Sequence, residues 1–176
     1  MIFLIRLYLD CDGVILDTID KTYEWMNLEN LDIHDADLVH EYFVSRVNWD
    51  KLIKEAGVLN DAINKVKKLM EMGTYDPTIL TTCVSLLEPV IKMNYFKNEL
   101  PNVPVITVPW LVRKDRVVDA NGSILVDDSK RNIANWRESG GIGLHFVKEN
   151  PNLELMEIND LMDIPKFNNK VKKLVR

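Results

Sequence analysis

The chain has 176 residues, 47% hydrophobic and 28% charged, which suits one soluble globular domain or one domain with an insertion. Its formal net charge of -5, from 22 basic and 27 acidic residues, provides no broad basic field for holding a nucleic-acid polymer, so a small anionic substrate needs local cations. No apolar run approaches the roughly 20 residues of a membrane span, and the first ten residues lack the basic start and small-residue cleavage site of a signal peptide, so a cytoplasmic protein is expected.

In chain order, the apolar run Ile2 to Leu9 predicts a first strand, interrupted by Arg6, so its buried part is expected to start near Leu7. About 60 residues of helical periodicity follow, far more than one crossover needs, and predict an inserted helical cap over residues 17–74. Its pieces read as Asp17 to Glu29, Asp35 to Val47, Trp49 to Ala56 and Asn60 to Met72, the last two stopped by Gly57 and Gly73. The remaining sheet is predicted at Thr78 to Thr82, Val103 to Val108, Ser123 to Val126 and Ile142 to Val147. A helix is predicted from Asp128-Ser129 to about Glu138, and a polar, Lys-rich tail with a short helix at Asn159 to Met162. Strands alternating with helices predict a Rossmann-like parallel sheet covered on both faces, formed by residues 1–16 and 75–176.

The chemistry is concentrated where the first strand ends, in Asp10-Cys11-Asp12-Gly13. Burying two like charges costs several kcal/mol unless a cation or a substrate proton offsets it. Asp127 and Asp128 end another strand, and the carboxyl edge of an open parallel sheet is where ligands bind. Brought together, such groups repel by about 4 kcal/mol per pair at 4 Å and an effective dielectric of 20, and a divalent cation is the remedy. Oxygen-only ligands favour Mg²⁺ over zinc. An EF-hand loop is ruled out, because Gly13 comes too early and Lys21 stands where the bidentate Glu belongs. Taken alone, Asp127-Asp128 could simply cap the next helix.

Thr81 and Thr82 offer hydroxyls to a phosphate at the end of the second strand, and Arg113-Lys114-Asp115-Arg116 is the dense basic cluster near this edge. The two cysteines, Cys11 and Cys83, fit neither a metal motif nor a disulfide framework and read as reduced thiols; Cys11 is expected to point away from its aspartate neighbours by strand alternation. His34, His40 and His145 show no partner pattern.

The ordered set strand-Asp10-x-Asp12-Gly13-Val14, strand-Thr81, Lys114, strand-Asp127-Asp128 resembles the four motifs of the haloacid dehalogenase (HAD) superfamily of phosphotransferases. Asn132-x-x-x-Trp136-x-x-x-Gly140-Gly141-Ile142 after the last motif, with the insert after the first, is similar to the 5'(3')-deoxyribonucleotidase branch common in phages and bacteria. The resemblance implies Asp10 as nucleophile, Asp12 as general acid and base with its backbone carbonyl on Mg²⁺, and Thr81 and Thr82 on the phosphoryl group. It implies Lys114, or its neighbour Arg116, holding nucleophile and phosphate in line. The Asp127-Asp128 pair would complete the metal shell, with Asp128 favoured as the inner ligand. Where deoxyribonucleotidases carry a base-contacting aromatic, this chain has Thr18, which leaves Tyr23, Trp25, Phe43 and Trp49 as aromatic candidates in the cap.

The expected activity is a Mg²⁺-dependent phosphomonoesterase acting on nucleoside or deoxynucleoside monophosphates, as a monomer or homodimer, without stable nucleic-acid or membrane binding. The alternatives are a 3'-phosphatase on polynucleotide ends and a non-catalytic HAD-like binding module.

Overall fold

The computed structural model describes residues 4–170. The expected start of the first strand at Ile2 and the end of the Lys-rich tail lie outside them. The six-stranded sheet is parallel throughout, in the order β3-β2-β1-β4-β5-β6, with β1 Ile5–Leu9, β2 Tyr75–Cys83, β3 Val105–Pro109, β4 Ile124–Asp127, β5 Ile142–Phe146 and β6 Glu157–Ile158. β1 and β4 are adjacent, with Leu9 opposite Val126. The carboxylates that follow these two residues therefore emerge side by side.

The central strands are apolar in nearly every position because helices cover both faces. On one face Leu7, Leu9, Ile79, Ile124 and Val126 pack with Phe96 of α5 (Glu88–Glu99), and on the other Tyr8, Leu80 and Leu125 pack with Ile133 and Trp136 of α6 (Lys130–Glu138). Trp136 is fully buried, edge-on to Tyr8 at 5.2 Å. A Cβ on Gly141 would lie 2.3 Å from its indole nitrogen, which is why a glycine follows Gly140 there.

The insert contains α1 (Thr18–Leu28), α2 (Ala36–Glu41) running into a π-helical turn at Tyr42–Arg46, α3 (Trp49–Glu55) and α4 (Ala62–Glu71). Asp35 and Asn48 cap α2 and α3 with side-chain oxygens. Ala62, Ile63, Val66 and Leu69 of α4 belong to the same buried cluster as Leu7 and Leu9, so this helix packs on the sheet. Lys148, after β5, ties α1 to the core through Asp17, at 2.6 Å, and Asp20.

The fold departs from the sequence reading most at β2, in the tail and in the insert. β2 begins at Tyr75 and contains Pro77, three residues before the expected start. The N–H of Ile79 donates to Pro104 O, so two residues earlier the ring nitrogen of Pro77 faces the same side before β3 has begun, and no ladder bond is lost. The tail forms β6 and a 3₁₀ helix, Leu161–Phe167, whose Leu161, Ile164 and Phe167 are buried. A two-residue strand carries no readable period, and a three-residue apolar repeat fits the 3₁₀ turn better than the α-helix. Asp35 to Val47 is also not one regular helix, because the π turn intervenes.

Candidate active site

Asp10 leaves the end of β1 with its backbone N–H bonded to Val126 O, which fixes it beside β4. Its carboxylate is buried and meets the Lys114 ammonium at 2.9 Å. The same ammonium reaches Asp127 at 2.6 Å, and Asp127 is further held by the Ser129 N–H at 2.8 Å and the Asn132 amide at 3.1 Å. Lys114 sits in a 3₁₀ turn, Lys114–Arg116, and is almost fully buried, whereas the Arg116 side chain is largely exposed and pairs with Asp115 at 3.6 Å. Of the two basic residues, Lys114 is the one that bridges the carboxylates of β1 and β4.

Asp10, Asp127 and Asp128 offer carboxylate oxygens that all lie within 4.8 Å of one another. These three negative charges face the single ammonium of Lys114, which leaves a deficit of about two positive charges. The electrostatics reflect it. Burial drives the Asp10 carboxyl well above its ordinary value, Lys114 pulls it back only in part, and Asp127, Asp12 and Asp128 push it further up. Burial, Asp127 and Asp12 push Asp128 up to about 7. Lys114 rises to about 12: burial opposes its charge, but Asp10 and Asp127 outweigh that. A small divalent cation fits this donor set and its charge deficit, and the all-oxygen ligands suit Mg²⁺.

Gly13 makes the cluster possible. Its φ is +71°, and a Cβ there would lie 2.4 Å from the Asp128 carboxylate. Gly13→Ala is expected to destabilise the fold by about 1–2 kcal/mol through the left-handed backbone alone, and to displace Asp128 and weaken divalent-cation binding. Thermal unfolding with and without Mg²⁺ measures both effects.

Asp12 is set apart from the other three. Its Oδ1 accepts a 2.7 Å bond from Thr18 at the start of α1, and its Oδ2 meets Lys92 and, at 3.4 Å, the Thr81 hydroxyl. Thr81 is fully buried in this contact, whereas Thr82 lines the open cavity. Thr18 therefore reaches the Asp12 carboxylate from the start of α1. Cys11 is buried and belongs to the apolar core cluster.

Over these groups lies a cavity of about 640 Å³, lined by Asp10, Asp12, Thr82 and Asp128 at its base and by Ile19, His40, Phe43 and Trp49 from the insert. Trp110, Arg113, Arg131, Asn132 and Asn135 complete the wall. Of the cap aromatics, Phe43 and Trp49 reach this cavity; Tyr23 and Trp25 do not line it, and Trp25 lies under the Lys51 ammonium. His40 packs on Trp110 with ring centres 4.5 Å apart, joining insert and core at the mouth. His145 bonds the Asp128 carbonyl at 3.0 Å. A larger cleft of about 970 Å³ adjoins across Trp49 and Trp110 but is lined by none of Asp10, Asp12, Asp127 and Asp128.

Three residues of this site were not legible beforehand. Glu88 and Lys92 stand four apart on α5 and are buried, at 2.6 Å from each other. In a sequence such a pair reads as an exposed helix-surface ion pair. His40 has no sequence signal.

No family model matches the chain, and no curated protein sequence is similar to it. Solved structures do match. A haloacid dehalogenase-like hydrolase from Streptococcus pneumoniae superposes with a TM-score of 0.54 at 10% identity, covering 93% of this chain and 98% of that one. A Xanthomonas campestris hydrolase of the same family gives 0.54 at 12% identity, covering 97% and 96%. A HAD hydrolase from Bacillus subtilis, solved bound to magnesium, gives 0.58 at 14% identity, covering 94% and 99%. Among the described residues no helix is long and apolar enough to cross a membrane. With its Asp cluster at the carboxyl edge of a six-stranded parallel sheet, the chain has the fold of the haloacid dehalogenase-like hydrolases.

Proposed function

We propose that this protein is a Mg²⁺-dependent phosphomonoesterase that forms an aspartyl-phosphate on Asp10 and acts on nucleoside or deoxynucleoside 5'(3')-monophosphates. The observation that carries the reading is the convergence of Asp10, Asp127 and Asp128 around one buried ammonium, at the floor of a cavity large enough for a nucleotide-sized ester. Asp10, Asp127, Asp128 and the Asp12 backbone carbonyl would hold Mg²⁺, which when bound supplies charge neutralisation for the phosphoryl oxygens.

An Asp10 carboxylate oxygen attacks phosphorus as the bond to the ester oxygen breaks, and protonated Asp12 gives its proton to the departing alkoxide, releasing the alcohol. Asp12, now a carboxylate, takes a proton from water, and the water oxygen attacks the same phosphorus. The bond to Asp10 breaks, inorganic phosphate leaves, and the proton rests again on Asp12. Lys114 keeps Asp10 oriented and offsets the charge on the transferred group, and Thr82, which lines the cavity at the end of β2, would contact that group. Phe43 and Trp49 of the insert line the cavity and would contact a base there.

Incubating the protein with nucleoside monophosphates, sugar phosphates and oligonucleotides bearing 3'-phosphate ends, with and without Mg²⁺, tests the assignment. Mg²⁺-dependent release of inorganic phosphate from the mononucleotides, with little from the oligonucleotide ends, is expected. Preference for polynucleotide ends would shift the function to end repair, and no release from any ester would leave a binding module.

A further inference from the structure

The Lys92 ammonium is entirely buried, yet α5 could have covered the sheet with an apolar side chain at this position, as it does one turn later with Phe96. A buried ion pair is often no more stabilising than a well-packed hydrophobe, so its presence calls for a role beyond folding. The ammonium contacts Glu88 at 2.6 Å, the Thr81 hydroxyl at 3.0 Å, the Thr82 carbonyl at 3.3 Å and the Asp12 carboxylate. Glu88 is a buried counter-charge whose carboxylate is itself fixed by the Val84 N–H at 2.7 Å. Lys92 is thus anchored from its own helix and from β2, and its remaining polar contact among the described hydrogen bonds and ion pairs is with one oxygen of Asp12. The other oxygen is held by Thr18 of the insert. From the same insert, the Trp49 ring covers the ammonium, 5.0 Å from its centroid.

We infer that Lys92 is a positioning residue for Asp12, fixing the rotamer from which that carboxyl serves as general acid and base, and that Trp49 and Thr18 make this setting depend on the seating of the insert. The inference rests on the phosphatase reading given above, in which Asp12 carries the proton. Lys92 touches neither Asp10 nor the other two carboxylates of the cluster in any described ion pair or hydrogen bond, so of the reacting carboxylates it acts on Asp12 and hence on proton transfer.

That confinement gives a distinctive kinetic signature. A p-nitrophenolate leaving group departs without a proton, whereas a nucleoside alkoxide requires one. In Lys92→Met, kcat/KM for a nucleoside monophosphate is expected to fall about 100-fold, while kcat/KM for p-nitrophenyl phosphate falls less than about 5-fold. Because water attack on the aspartyl-phosphate still needs Asp12 as base, kcat on the nitrophenyl ester drops as well, and a pre-steady-state burst of nitrophenolate appears. Lys92→Arg restores part of the loss on the nucleotide. The double variant Lys92→Met/Glu88→Gln removes both buried charges together, which protects folding, and shows the same selective loss.

Equal losses of kcat/KM on both esters, with no burst and no rescue by Arg, would reduce Lys92 to a structural role and overturn the inference while leaving the phosphatase reading intact. Wild-type rates in the variants would overturn it too. Absence of Mg²⁺-dependent turnover in the wild-type protein would instead remove the reading on which it stands.

Discussion

Asp10→Asn is expected to lower Mg²⁺-dependent phosphate release by 10⁴-fold or more, on the order seen when a covalent nucleophile is removed from other enzymes. The carboxamide has the shape of the carboxylate but lacks the electron pair density to attack phosphorus, and no neighbour can substitute. Asp127 is locked by Lys114, Ser129 and Asn132, and Asp12 is turned toward Lys92 and Thr18. The folded state should not suffer, because removing one charge from Asp10 relieves repulsion from Asp127, Asp12 and Asp128. Circular dichroism and thermal unfolding therefore serve as the control, and a variant that keeps a tenth of the wild-type rate would disprove covalent catalysis at this residue. Loss of activity together with loss of structure would implicate Asp10 in folding alone.

Much of this arrangement is written locally. A buried strand that ends in Asp10-Cys11-Asp12-Gly13 announces its carboxylates, because nothing in folding favours them there, and the pairing of Leu9 with Val126 then brings Asp127 and Asp128 to the same place. The sheet's parallel order follows from strand and helix alternation, and Gly140-Gly141 marks both a turn and the space Trp136 needs. The contacts of Lys92, Glu88 and Thr18 are different in kind. Each side chain is ordinary at its helical position, and its meaning comes from burial against a group 80 residues or six residues away, which no local period encodes. Likewise the extended strand through Pro77 depends on β3 beginning late, a fact about a neighbour. The same reasoning explains why Phe43 and Trp49, but not Tyr23 and Trp25, reach the cavity: composition cannot say which face of an inserted helix meets the core.

Asp128→Asn separates function from stability most sharply, since it should strengthen the metal-free fold while destroying the response to Mg²⁺. The Asp128 carboxyl is pushed up to about 7 by burial and by the charges of Asp127 and Asp12. Between its ordinary value near 3.8 and that point, the folded chain keeps a proton that the unfolded chain releases, so metal-free stability falls as pH rises through this window. Above pH 7 the full penalty would be roughly 4 kcal/mol, but the cavity admits water to this carboxylate and screens part of it, leaving about 2 kcal/mol. Asn at 128 carries no charge to penalise, so the metal-free variant should unfold about 4–8 °C above the wild type at pH 8, with little gain at pH 4. Added Mg²⁺ at a hundredfold excess over Kd should stabilise the wild type by about 2.7 kcal/mol and the variant much less. Calorimetric scans at the two pH values, with Mg²⁺ or with a chelator, read all four quantities. A variant that unfolds earlier than the wild type at pH 8 in chelator would show that Asp128 is a favourable contact in the fold, and the charge deficit assigned to the cluster would be wrong.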